Sequence, residues 1–67
     1  MNEYELKLYN ILKKRFLQKD YVRDTVDSIC IGVIYKYITG NKMRRQCNDC
    51  YNDAIMVIKI YIKNEPV

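Results

Sequence analysis

Apolar residues recur at steps of three and four along most of the chain, and this spacing predicts three α-helices. The predicted helices cover about residues 3–19, 21–39 and 42–63. Together they account for nearly the whole sequence, which contains no linker, internal repeat or low-complexity stretch. Residues 1–67 are therefore predicted to form a single helical domain.

Residues that favour helix ends lie close to these limits. Asn2 followed by Glu5 resembles a capping box, in which the Asn side chain binds backbone N–H groups and the Glu side chain reaches back. Asp20 and Asn41 are suitable N-caps for the second and third helices. Gly40 is the expected end of the second helix, because glycine readily adopts the left-handed conformation found at helix C-termini.

The apolar faces of the second and third predicted helices mirror each other about Gly40. The face residues of the three helices, in chain order, are Tyr4, Leu8, Ile11, Leu12 and Phe16; Val22, Val26, Ile29, Cys30, Val33, Ile34 and Tyr37; and Met43, Cys47, Cys50, Tyr51, Ala54, Val57, Ile58 and Tyr61. An antiparallel hairpin with its turn at Gly40 would pair these faces along their length, with Cys30 level with Cys50. The predicted fold is an all-α three-helix bundle built on this hairpin.

Two stretches, SICIGVIYKYIT and AIMVIKIYIK, are also compatible with β-strands, because β-branched and aromatic residues favour strands. The polar residues of 41–63 recur at three- and four-residue steps and not at two, which favours helix. The strand alternative is strongest from Ile55 onward.

The chain is short, and its length limits the size of its core. A domain of this size buries only about 60% of the surface of its unfolded chain and is marginally stable without further support. A disulfide, a metal ion or a second subunit could supply that support. We therefore expect a dimer, or a subunit of a larger complex.

The composition excludes several kinds of function. The chain has no histidine and a single serine, so catalytic groups built on histidine are excluded. No apolar run approaches the roughly 18 residues of a membrane-spanning helix, and the acidic, amphipathic N-terminal stretch does not resemble a secretory signal. We predict a non-enzymatic protein with no cofactor, no small-molecule substrate and no membrane partner, located in the cytoplasm.

The cysteines allow three interpretations. The sequence CNDC places Cys47 and Cys50 on the predicted buried face of the third helix, where free cysteine behaves as a small apolar residue. A disulfide between Cys30 and Cys50, or between Cys30 and Cys47, is the second interpretation. A metal site is the third, but three cysteines without histidine do not complete a zinc site, so no metal ligand is predicted. Packing is favoured, because both cysteines fall on the predicted buried face and cytosolic proteins seldom keep a disulfide. A disulfide joining Cys47 to Cys50 would strain an intact helix. A thioredoxin-like redox pair is disfavoured, because such a pair lies at a helix N-terminus after a strand, and no strand is predicted before Cys47.

The net charge is +4, which permits an anionic partner without requiring one. Two basic clusters are candidate phosphate contacts in an alternative function, a small helix-turn-helix-like transcriptional regulator that binds nucleic acid. The clusters consist of Lys13, Lys14 and Arg15, and of Lys42, Arg44 and Arg45. Against this alternative, the predicted exposed face of the third helix carries Asp49 and Asp53, which phosphates would repel.

Several apolar residues lie outside the predicted faces and suggest a protein interface. Tyr and Met suit interfaces because they bury large areas at modest entropic cost. The candidate interface residues are Ile31, Tyr35, Ile38, Met56 and Ile60. The favoured function is therefore a small regulatory or inhibitory protein that binds a second copy of itself or a host protein.

The composition also bears on the origin of the chain. Ile, Lys, Asn and Tyr make up 30 of the 67 residues, a bias typical of AT-rich genomes. Many viruses, phages and mobile elements have such genomes and encode small regulatory proteins of this kind. If the source is a virus, the expected location is the host cytosol.

Overall fold

Three α-helices form in a computed structural model of the chain, which describes residues 1–44 and 47–65. Helix α1 spans Glu3–Phe16, α2 spans Thr25–Thr39 and α3 spans Asn48–Lys63. The described residues contain no strand, so the all-helical prediction is confirmed and the strand alternative is wrong. The radius of gyration is 11.1 Å, close to the value of about 11 Å expected for a globular domain of this length.

Helix α1 begins as predicted, and α2 ends as predicted. The Glu5 backbone N–H donates to Asn2 Oδ1 at 2.7 Å, and the Asn2 N–H donates to Glu5 Oε1 at 2.9 Å, which completes the capping box. Gly40 follows α2 with a φ of 76°, the left-handed conformation that glycine adopts without strain. The start of α1 and the end of α2 could be predicted because the capping box and the glycine are local sequence signals.

Helix α2 begins later than predicted, at Thr25, because Asp24 and not Asp20 is its N-cap. Asp24 is favoured because Asp27 lies three residues after it and can return the hydrogen bond. The Asp27 N–H donates to Asp24 Oδ1 at 2.8 Å, and the Asp24 N–H donates to Asp27 Oδ2 at 3.3 Å. A reciprocal pair satisfies two free N–H groups of the first turn, whereas Asp20 has no such partner.

Helix α3 also begins later than predicted. Its N-cap is Cys47 and not Asn41, and the Cys47 Sγ accepts a hydrogen bond from the Cys50 N–H at 3.1 Å. Cys47 therefore lies outside the helix, and Cys50 lies in its first turn. This placement changes the chemistry open to both cysteines.

The contacts between α2 and α3 contradict the predicted antiparallel hairpin. Arg23, just before α2, donates to Asn48 Oδ1 at 3.4 Å, and its guanidinium lies 3.9 Å from the centre of the Tyr51 ring. The start of α2 therefore meets the start of α3. At the other end the phenol groups of Tyr37 and Tyr61 are neighbours, so the two helices run in broadly the same direction.

A parallel pair requires the connection after Gly40 to return along the length of α2. A helix of 15 residues is about 22 Å long at 1.5 Å per residue, so the start of α3 lies about that far back from Gly40. On the way, the Met43 side chain crosses α2 at Gly32. The mirrored apolar faces arise because both helices share one period, and periodicity does not specify direction.

The core combines a few residues from each helix, and it corrects the predicted buried faces. The buried apolar residues are Tyr9, Leu12, Cys30, Ile31, Ile34, Tyr51, Ala54 and Ile58. On α1, Tyr9 is buried while Tyr4 and Ile11 are exposed. On α2, most of the predicted face is exposed, because apolar residues surround this helix and spacing does not select a side. On α3, the predicted face is largely confirmed.

One charged side chain, Asp27, lies in this core. Its carboxylate accepts hydrogen bonds from Arg15 Nη2 at 3.0 Å and from Arg15 Nε at 3.3 Å. Arg15 Nη2 also lies 3.3 Å from Asp24 Oδ2. The ion pair joins the last turn of α1 to the first turn of α2, so buried charge fixes how the two helices meet.

We expect Gly32→Ala to stabilise the protein by about 1 kcal/mol, because glycine is that much less favourable than alanine inside a helix. An added Cβ would lie 3.9 Å from Met43 Cε, an ordinary van der Waals contact. Urea unfolding followed by circular dichroism measures the change. Gly40→Ala is the matched control and should lose stability because of its positive φ. A destabilised Gly32→Ala variant would show that Met43 packs too closely for a Cβ.

Candidate functional site

An exposed apolar surface crosses α3 and the end of α1. Two adjoining grooves of about 320 and 430 Å³ form it, and both include Lys59 and Lys63. We call this surface the lysine-rimmed face. Its residues are Lys13, Phe16, Leu17, Asn52, Ile55, Met56, Lys59, Ile60, Ile62 and Lys63.

Helix periodicity places the α3 side chains of this face together. Residues three and four apart lie on one side of a helix, so Asn52, Met56, Lys59 and Lys63 form a line. Tyr51, Ala54 and Ile58 lie on the other side of α3, in the core. Helix α3 therefore has two apolar sides, and the fold covers only one of them.

The end of α1 contributes the remaining apolar residues. The helix ends at Phe16, so Leu17 falls just outside it and is 85% exposed. Phe16 is half-buried, packs against the core and has the Lys59 Nζ 5.6 Å from its ring centre. This cation–π contact holds one lysine of the rim across the groove.

Lys13 and Glu65 close the opposite edge of the face. Lys13 Nζ lies 2.8 Å from Glu65 Oε2, which also accepts a hydrogen bond from the Tyr9 hydroxyl at 2.9 Å. These two hydrogen bonds, from Lys13 first and then from Tyr9, lower the pKa of Glu65 below its usual range. The pair ties Glu65, the second residue after α3, to α1 and keeps Lys13 at the rim.

The five predicted interface residues differ in how far the structure exposes them. Met56 and Ile60 lie on the lysine-rimmed face and are 63% and 54% exposed. Tyr35 and Ile38 are half-buried and pack against the core. Ile31 is fully buried, so its predicted surface position is wrong, because α2 turns this side towards its neighbouring helices.

Sequence reasoning assigned Phe16 to the core and did not identify Ile55, Lys59, Ile62 or Lys63 as members of a surface site. The available signal was the line of apolar residues and lysines at positions 56, 59, 60 and 63. These residues can be recognised as exposed only when the opposite side of α3 is known to be buried. The contribution of α1 depends on tertiary packing and has no local signal.

The candidate phosphate contacts are only partly available. Arg15 binds the carboxylates of Asp27 and Asp24, and Lys13 binds Glu65. Lys14, Lys42 and Arg44 are exposed, whereas Arg45 lies outside the described residues. Two of the six predicted contacts therefore hold the fold together.

The cysteines pair differently from the prediction. Cys47 and Cys50 form a disulfide, with their Cα atoms 5.1 Å apart. Cys30 is a free thiol buried in the core, so neither a Cys30–Cys50 nor a Cys30–Cys47 bond is present. The objection that a 47–50 disulfide would strain a helix does not apply, because Cys47 precedes α3.

Residues 1–44 and 47–65 were searched for a metal site and for a membrane-spanning helix. No group of three or more cysteine or acidic side chains there is arranged to hold a metal ion. No helix in these ranges is long and apolar enough to cross a membrane.

Two tyrosines with raised pKa values, the half-buried Tyr21 and the buried Tyr9, predict a loss of stability at alkaline pH. Burial is the main cause that raises the pKa of Tyr21 to about 12, with a further contribution from nearby Asp27. Burial and the hydrogen bond to Glu65 raise the pKa of Tyr9 as well. Because an unfolded tyrosine ionises near pH 10, the stabilisation is complete below about pH 10 and is lost as pH rises through the folded pKa values.

The Tyr21 hydroxyl is buried near the Asp27 carboxylate but does not meet it in the geometry of an ordinary hydrogen bond. We therefore expect Tyr21→Phe to keep or increase stability at neutral pH and to reduce the alkaline loss. Urea unfolding at neutral pH and near pH 11 tests this. Tyr4→Phe, at an exposed position, should change neither quantity. If Tyr21→Phe loses as much stability at alkaline pH as the unmodified chain, ionisation of Tyr21 does not cause that loss.

Comparison with known proteins does not show a family for this chain. No protein-family model matches the chain, and neither a curated protein nor a solved structure shows significant similarity to it. The function is therefore inferred from the geometry and chemistry of the chain.

Proposed function

We propose that the chain is a regulatory protein that binds an acidic, amphipathic segment of a partner protein through the lysine-rimmed face. The observation that carries this proposal is the continuous apolar surface across α3 and the end of α1, bordered by three lysines. The compositional bias towards Ile, Lys, Asn and Tyr supports an origin in a virus, phage or mobile element, with the partner in the host cytosol.

Exposed apolar residues support an interface because here they are adjacent. Single apolar residues scattered over a surface are ordinary, whereas a contiguous patch is typical of an interaction site. Leu17, Met56 and Ile60 are each more than half exposed and border grooves that adjoin one another. Methionine suits such a position, since its flexible side chain adapts to the partner.

The lysines indicate the chemistry of the partner. Lys59 and Lys63 form no ion pair with any residue in 1–44 or 47–65. A partner segment with an apolar stripe and flanking carboxylates would fill the grooves and pair with these ammonium groups. Charge complementarity of this kind speeds association and selects among partners.

The same lysines disfavour a second copy on this face. A symmetric dimer places a surface patch against its own image, so each copy would bring its lysines towards those of the other. A second apolar strip lies on the exposed side of α2, where Val26, Ile29, Val33 and Tyr37 share one side of the helix, and Lys36 and Lys42 border the groove beside Ile29 and Val33. We propose this strip as the self-association surface.

The nucleic-acid alternative has less support, because Arg15 and Lys13 are engaged in ion pairs. Binding to phosphates would compete with Glu65, Asp24 and Asp27 for those cations. The exposed lysines of the lysine-rimmed face also alternate with apolar side chains, which suits a protein partner better than a phosphate backbone.

Affinity capture from nuclease-treated lysate, compared across matched variants, tests the proposal. Met56→Asp and Ile60→Asp should each reduce the captured partner at least about tenfold, because a buried charge in an interface costs more than 1.4 kcal/mol. Tyr4→Asp is the control, since Tyr4 is 58% exposed and lies in the first turn of α1, away from this face. Lys59→Glu with Lys63→Glu should also abolish capture.

The outcomes distinguish the alternatives. Equal capture by all variants, or capture lost only in Tyr4→Asp, would exclude the lysine-rimmed face. Complete loss after nuclease treatment would support the nucleic-acid alternative. Sedimentation equilibrium of Val26→Asp and of the unmodified chain tests the dimer, which the substitution should dissociate.

A further inference from the structure

A disulfide joins Cys47 and Cys50 where α3 begins. Neither cysteine belongs to the lysine-rimmed face. We propose that this pair is redox-active and carries out thiol–disulfide exchange, with Cys47 as the attacking sulfur and exposed disulfides of other molecules as substrates. Three features of the surroundings support the assignment.

The first feature is the position of Cys47 as the N-cap of α3. Its Sγ accepts a hydrogen bond from the Cys50 N–H at 3.1 Å. The first N–H groups of a helix have no partners within the helix and carry a partial positive charge. Once the pair is reduced, this environment stabilises negative charge on the Cys47 Sγ, and the thiolate is the reactive form of cysteine.

The second feature is a guanidinium held against the same turn. Arg23 lies 3.9 Å from the Tyr51 ring centre, donates to Asn48 Oδ1 at 3.4 Å and donates to Ser28 Oγ at 2.9 Å. Asn48 lies between the two cysteines and Tyr51 follows Cys50, so these contacts hold the guanidinium at the turn that carries the pair, where it opposes the carboxylate of Asp49. A neighbouring arginine favours the thiolate of a cysteine independently of the helix.

The third feature is the contrast with Cys30. That thiol lies in the core with 1% exposure, and burial raises its pKa. Cys47 and Cys50 are only partly buried. The fold therefore separates an inert cysteine from a pair that solvent can reach.

The exchange proceeds in two substitutions at sulfur. The Cys47 thiolate attacks one sulfur of the substrate disulfide, so a Cys47–substrate bond forms and the other substrate sulfur leaves as a thiolate. The Cys50 thiol loses its proton to water, and its thiolate then attacks the Cys47 Sγ. The disulfide of the structure forms and the second substrate sulfur leaves. Two electrons pass to the substrate, and a low-molecular-weight dithiol restores the reduced pair.

Reduction of insulin by dithiothreitol, with and without the full chain, tests the activity. The unmodified chain and Cys30→Ser should accelerate the reaction, whereas Cys47→Ser and Cys50→Ser should not. Circular dichroism of each variant verifies that it is folded. A folded, unmodified chain that gives no acceleration beyond dithiothreitol alone would overturn the proposal.

Trapping with glutathione disulfide tests the role of each sulfur. In a Cys30→Ser background, reduced Cys50→Ser should form a mixed disulfide at Cys47, detected by mass spectrometry. Reduced Cys47→Ser should form one at Cys50 about tenfold more slowly. Faster reaction at Cys50 would overturn the assignment of Cys47 as the attacking sulfur.

Two charge variants test the contribution of Arg23. Arg23→Gln should slow the reaction of Cys47 with glutathione disulfide, because it removes the charge beside the pair. Lys14→Gln removes the same charge from an exposed site on α1 and should leave the rate unchanged. Equal slowing in both variants would show that net charge, and not Arg23, sets the reactivity.

Discussion

Ile31→Ala is expected to destabilise the protein by about 3 kcal/mol, within the range measured for truncation of a buried Ile or Leu. The Ile31 side chain is fully buried, so its truncation leaves a cavity lined by its neighbours. A domain of this length has a total stability on the order of 3–10 kcal/mol. The substitution should therefore remove a large share of it, as urea unfolding would measure.

Ile29→Ala is the matched control, because it makes the same change two residues earlier on α2. Ile29 is 57% exposed, and the expected change is within about 0.5 kcal/mol. If Ile31→Ala proves too unstable to measure, Ile31→Val keeps the comparison, with an expected loss of about 1 kcal/mol. Similar losses at positions 29 and 31 would contradict the orientation of α2.

Asp27→Ala is expected to destabilise the protein by about 2 kcal/mol, because hydrogen bonds to charged groups contribute about 1.5–3 kcal/mol. The carboxylate accepts hydrogen bonds from Arg15 Nε, Arg15 Nη2 and the Asp24 N–H, and these three donors lose a partner. The substitution also removes half of the capping box of α2. Thermal and urea unfolding at neutral pH measure the loss.

Asp53→Ala provides the control, since Asp53 is exposed within α3 and should change stability by less than about 0.5 kcal/mol. The double variant of Arg15→Ala and Asp27→Ala should be less destabilised than the sum of the single variants, because each single variant already breaks the shared ion pair. Additive losses would mean that the two side chains act independently.

The lysine-rimmed face and the Cys47–Cys50 pair have different chemical requirements, and the two proposals can be tested separately. The lysine-rimmed face needs α3 to be folded and its outer side to be uncovered. The Cys47–Cys50 pair needs the first turn of α3 and the guanidinium of Arg23. Met56→Asp should therefore leave thiol–disulfide exchange intact, and Cys47→Ser should leave partner capture intact if α3 remains folded.

Local signals in the sequence determined the helical class, the capping box at Asn2 and the end of α2 at Gly40. Each depends on residues within one or two turns, and such interactions are visible in the order of the amino acids. The same spacing also placed Met56 and Ile60 outside the core, where the structure has them. It could not reveal that the end of α1 completes the face.

Tertiary structure alone decided the direction of α3, the buried side of α2 and the pairing of the cysteines. Helix α2 has apolar residues all around, so only its contacts with α1 and α3 determine that Ile31 is inside and Ile29 outside. Cys47 became an N-cap because the chain first returns along α2. These features depend on residues distant in sequence, and a periodic pattern carries no information about which helix lies beside it or which way that helix runs.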